Sequence, residues 1–156
     1  MLKKLYQLQS IVLLIGVGFA WFTVYQDFSR FYGIEGTVFK IQDCVLPNPV
    51  TTPCFWGAWA FLIAFIWSLF IIKQADVIKA KSEKKLIWLL IASVLFAWGN
   101  FGYVLYSFLT STTGSTKGCS GVLTTNPFAT PCFVGSVIFL IALALALVIK
   151  HKEVRS

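Results

Sequence analysis

The chain has 156 residues, 58% of them hydrophobic and 12% charged, with a net charge of +7 and a mean hydropathy of +0.80. An ordinary soluble domain is about 45–50% apolar and about 25% charged, so this composition excludes a water-soluble globular enzyme and a disordered chain. The length allows about four membrane spans of ~20 residues. One His and six acidic residues leave little material for a metal site or a carboxylate dyad, and no metal site is assigned.

Four apolar stretches are expected to cross a bilayer, at about 8–27, 55–72, 86–109 and 133–149. Each reads as a helix, because backbone polar groups in lipid must be satisfied within their own segment. Runs such as FLIAFIWSLFII lack the period-two alternation of a barrel strand. Inside these stretches the ionisable residues are absent, with Asp27 marking the end of the first. The first could pass for a signal peptide, but its apolar run continues through Trp21, Phe22, Val24 and Tyr25, and it is read as a retained helix.

Ten of the thirteen Lys and Arg residues fall on one side of these spans. They are Lys3 and Lys4, then Lys73, Lys79, Lys81, Lys84 and Lys85 between spans two and three, then Lys150, Lys152 and Arg155. Arg30, Lys40 and Lys117 lie on the other side. The positive-inside rule places both termini and residues 73–85 in the cytoplasm of a cell that carries the protein in its plasma membrane. The positive charge then faces lipid headgroups, and no nucleic-acid partner is expected.

The two halves resemble each other. Residues 48–57 read NPVTTPCFWG and residues 126–135 read NPFATPCFVG, a match of N-P-x-x-T-P-C-F-x-G at an offset of 78. Upstream, Phe19-Ala20-Trp21 matches Phe96-Ala97-Trp98 at an offset of 77. The expected fold is therefore an all-α, four-transmembrane-helix bundle in a single membrane domain. It is built from two tandem, parallel helical-hairpin repeats at about 5–73 and 84–151, related by an axis along the membrane normal. The shared motif reads as the start of a helix. Asn48-Pro49 and Asn126-Pro127 make a turn, Thr52 and Thr130 stand at the N-cap, and Pro53 and Pro131 take the first helical position.

All four cysteines, Cys44, Cys54, Cys119 and Cys132, fall on the outer side, which implies disulfides. Three connectivities are open, and proximity favours Cys44–Cys54 with Cys119–Cys132. A second reading is redox chemistry, because Cys54 and Cys132 occupy helix N-termini where the dipole stabilises a thiolate. This layout resembles that of four-helix membrane oxidoreductases, which pass electrons from outer-side dithiols to a quinone. The chain departs from them in having no C-x-x-C.

Asn100 is the strongest polar group within a span and reads as an interhelical contact. No catalytic residue is assigned. The function ranked first is a non-enzymatic scaffold or interaction subunit. Its disulfide-stapled outer cap would engage another membrane or outer-side protein or the lipid bilayer, with no cofactor. The alternative is a membrane thiol–disulfide oxidoreductase using Cys54 or Cys132, with a quinone as cofactor. A small-molecule channel or transporter ranks third.

Overall fold

A computed structural model describes residues 2–39 and 46–155. Four helices carry nearly all of them: α1 (Leu2–Glu35), α2 (Pro53–Lys73), α3 (Asp76–Thr110) and α4 (Pro131–Arg155). A two-stranded antiparallel hairpin, β1 (Thr116–Lys117) and β2 (Leu123–Thr124), lies between α3 and α4. All four helices are long and apolar enough to cross a bilayer, and the protein is an integral membrane protein.

The helices run past the apolar stretches. α1 continues through Asp27 to Glu35, and residues 76–85, which the charge pattern marks as a basic loop, form the first turns of α3. Hydropathy marks where lipid contact ends, not where helical hydrogen bonding ends, and Lys, Glu and Ala are good helix formers in water. Local chemistry stops the helices instead. Gly36 ends α1 with a positive φ of 65° and donates its N–H to the Tyr32 carbonyl, a glycine C-terminal cap. Gln74 and Ala75 are both extended and separate α2 from α3.

α1 packs most extensively on α2, and α3 on α4, while α1–α4 and α2–α3 faces close the bundle. The core is lined by small residues, with Gly16, Ala58, Ala64, Ala142 and Ala146 all buried. Small side chains let helices approach where lipid supplies no hydrophobic drive between them. At the centre, Phe61 of α2 and Phe139 of α4 stack with ring centroids 3.6 Å apart. Gly16 has no room for a larger residue, since a Cβ there would lie 2.4 Å from the Phe61 ring. Outward, Leu14, Ile15, Phe22, Leu95 and Leu109 are more than half exposed, a surface suited to acyl chains.

Towards the α1 N-terminus the interior turns polar. Gln9 donates to Glu83 at 3.3 Å, Ser10 and Ser68 hydroxyls lie 2.9 Å apart, and Tyr6 donates to Glu153. The buried Glu83 belongs to the stretch that hydropathy leaves outside the spans.

Candidate functional site

The two copies of N-P-x-x-T-P-C-F-x-G adopt the same local structure. Asn48 accepts from the Val50 N–H and Asn126 from the Phe128 N–H, each at 3.0 Å, and each opens a 3-10 turn, Pro49–Thr51 or Pro127–Ala129. Thr52 and Thr130 then turn their hydroxyls backwards, donating to the carbonyls of Pro49 (2.7 Å) and Pro127 (2.6 Å). Neither hydroxyl reaches forward into the following helix as an N-cap side chain would. Both are buried and already partnered by the 3-10 turn. Pro53 and Pro131 begin α2 and α4 as expected, which puts Cys54 and Cys132 at the second position of each helix.

Packing brings these two cysteines together and adds a third. Cys119 sits in the turn between β1 and β2. Gly118 donates its N–H to Val122 O at 2.8 Å, and Gly121 takes a φ of 75°. A disulfide joins Cys119 to Cys132 and pins the hairpin to the start of α4. Cys54 is a free thiol in the structure. Its Sγ lies 3.1 Å from Cys119 Sγ, and all three sulfurs are within 4.8 Å of one another. The expected Cys119–Cys132 bond is present. Cys44, and with it the expected Cys44–Cys54 bond, lies outside the described residues.

The cluster holds three sulfurs. A clip needs two sulfurs, and here a thiol rests against one end of a disulfide at the about 3–3.5 Å of a near-attack arrangement. The sulfurs of a disulfide carry no thiolate charge to offer a metal, so in this oxidation state the arrangement suits thiol–disulfide exchange.

Next to Cys54 and Cys132 lies an apolar cavity of about 50 Å³. Pro53, Gly57 and Phe61 of α2 line it, with Pro131, Gly135 and Phe139 of α4. Phe19, Ala20 and Thr23 of α1 and Phe96, Ala97 and Asn100 of α3 complete the lining. Among the described residues, Asn100 makes no hydrogen bond to a neighbouring helix. Its Nδ2 donates to the Phe96 carbonyl of its own helix at 2.7 Å, which leaves a second amide N–H beside the cavity.

Two polar residues not singled out by sequence reasoning adjoin the sulfurs. Ser120 Oγ is 3.5 Å from Cys54 Sγ. Asp27 of α1 is buried, with Arg30 Nη1 3.7 Å from its Oδ1. The one signal available for Asp27 was its place as the only acidic residue bordering the first apolar stretch. No known family model, curated protein or solved structure matches the chain.

Proposed function

We propose that the protein is a membrane thiol–disulfide oxidoreductase that oxidises outer-side dithiols and passes the electrons to a lipid-soluble quinone. The observation that carries this reading is the Cys54 thiol 3.1 Å from a sulfur of the Cys119–Cys132 disulfide. The alternative of a stapled scaffold gives no role to a third sulfur held at that distance.

The chemistry balances with the residues present. The Cys54 thiolate attacks Cys119 Sγ; a Cys54–Cys119 bond forms, the Cys119–Cys132 bond breaks, and the electron pair leaves on Cys132 Sγ. A substrate thiolate then attacks Cys54 Sγ and releases Cys119 as a thiolate. The second substrate thiol closes the substrate disulfide and frees Cys54. Two electrons now reside on Cys119 and Cys132, and Cys132 borders the apolar cavity. A quinone supplies a two-electron, two-proton acceptor, and its oxidised partner is the re-formed Cys119–Cys132 disulfide.

The lining suits a flat apolar ring, and Asn100 offers an amide donor for a carbonyl. An apolar cavity of about 150 Å³ takes a benzene, so a volume of about 50 Å³ requires Phe19 or Phe96 to swing outward on binding. Both are partly exposed and free of stacking partners among the described aromatic pairs.

The cavity's lining also supports the tandem-repeat reading. Its residues fall in pairs at the sequence offsets: Cys54 with Cys132, Phe61 with Phe139, and Thr23 with Asn100. A cavity on the axis relating two parallel repeats is lined in this way. The charge distribution supports an outer position for this end of the bundle. Reporter fusions after Lys79 are expected to read cytoplasmic and fusions at Lys117 external; the reverse would put the cysteines in a reducing compartment and end the proposal.

The functional test uses the full chain in proteoliposomes, with a reduced dithiol peptide outside and a short-chain benzoquinone in the lipid. Quinol is expected to appear with wild type at a rate that Cys54→Ser and Cys132→Ala each cut to background. Equal rates for wild type and Cys54→Ser would return the protein to the scaffold reading.

A further inference from the structure

Exchange at Cys54 begins with loss of the thiol proton, and Cys54 is half-buried at the lining of an apolar cavity. Two polar neighbours give that proton a route. Ser120 Oγ is 3.5 Å from Cys54 Sγ, and Ser120 and Asp27 together line two adjoining pockets. Asp27 is only 7% exposed. Arg30 stands 3.7 Å from its Oδ1, a half-exposed partner in the next turn of α1. Its Oδ2 accepts no hydrogen bond among the described residues. A buried carboxylate oxygen without a donor is costly, and its persistence calls for a use.

We propose that Asp27 is the proton acceptor for Cys54, reached through the Ser120 hydroxyl. The inference rests on the oxidoreductase reading. The Cys54 proton passes to Ser120 Oγ as Ser120 gives its own proton to Asp27. Cys54 Sγ forms its bond to Cys119 Sγ in the same step, and Cys132 Sγ leaves with the electron pair. Ser120 is next to the attacked Cys119 in the hairpin turn, so one short segment carries both the electrophilic sulfur and the relay. Arg30 places a positive charge 3.7 Å from Asp27 Oδ1. Among the described residues, Arg30 of α1 and Cys54 of α2 are the charged or titratable groups facing Asp27. Asp27 acts through Ser120 and is a positioning residue for the reaction, with Cys54 as the nucleophile.

The test reads Cys54 directly, without quinone or peptide substrate, so that its failure and the failure of the oxidoreductase reading stay distinct. In full-length Cys44→Ala protein, Cys54 is the free thiol, and 4,4′-dithiodipyridine reports its attack by release of pyridinethione. At neutral pH, Asp27→Asn and Ser120→Ala are each expected to slow release by about 10²-fold, the usual contribution of a positioned base. Both should recover towards the parent rate as pH rises and the thiolate forms without a base. Asp27→Glu should restore part of the neutral rate. Intact Cys119–Cys132 and an unchanged unfolding midpoint check that the variants fold. Asp27→Asn as fast as the parent, or faster because a repelling charge has gone, overturns the proposal. A deficit that persists at every pH assigns Asp27 a purely structural role and overturns it equally. Normal pH behaviour here with no quinone reduction in the lipid assay would leave the relay standing and remove the quinone.

Discussion

Cys132→Ser is expected to convert the protein almost completely to a form with a Cys54–Cys119 disulfide. Removing Cys132 leaves Cys119 without its partner, and the nearest sulfur is Cys54 Sγ at 3.1 Å. Peptide mapping after alkylation of the remaining thiols should find the new bond in nearly every molecule. The variant should not lose stability. In a chain-entropy estimate, closing a loop of 14 residues contributes about 3 kcal/mol and one of 66 residues about 4.4 kcal/mol. The new bond ties α2 to the hairpin across the longer separation and offsets what the lost bond supplied. Recovery of a Cys44–Cys54 bond with Cys119 free would show that the described sulfurs do not exchange. It would favour Cys44 as the wild-type partner of Cys54, the pairing that proximity in sequence suggests.

Gly121→Ala should be the most damaging small substitution near the site. Gly121 has a φ of 75°, and a Cβ there would meet Pro47 at 2.4 and 2.5 Å. A non-glycine residue in the left-handed region costs about 1–2 kcal/mol. Displacing a packed ring adds about 1–3 kcal/mol. Gly114→Ala is the control: its φ of 65° is similar, but nothing lies within 4 Å of the added carbon, so only the backbone cost applies. Thermal unfolding should therefore separate the two variants, with Gly121→Ala lower. The turn it disturbs holds Cys119 and Ser120, so Gly121→Ala should also slow the Cys54 reaction with a small disulfide, while Gly114→Ala should not.

The apolar stretches announce the four spanning helices because lipid imposes a single rule on every residue within it. The T-P-C starts of α2 and α4 are legible for an equally local reason, since proline at the first turn needs no partner elsewhere. The ends of α1 and α3 were not legible, because Lys79, Glu83 and Glu35 are as comfortable in a solvated helix as in a loop. Nor was the approach of Cys54 to Cys119. They are 65 residues apart, and their meeting depends on how α2 packs and on a five-residue turn in the hairpin. Asn100 shows the same limit from the other side. Its position in a span was evident, but the choice between a neighbouring helix and its own Phe96 carbonyl is decided by rotamer and packing.

The stacked Phe61 and Phe139 rings have a bearing on the energetics of the cell. They form the far wall of the cavity beneath the sulfurs, and beyond them along α2 come the fully buried Ala64 and then the Ser10–Ser68 pair. Two rings 3.6 Å apart leave no space for a water molecule between them. A file of water is what lets protons cross a protein, and a bare charge is expensive in the dry middle of a bilayer. The aromatic pair therefore acts as an insulator. Under the oxidoreductase proposal, reducing equivalents gathered at the sulfurs would leave sideways, between the helices and into the lipid. Thiol oxidation on one face would then leave the membrane potential undisturbed.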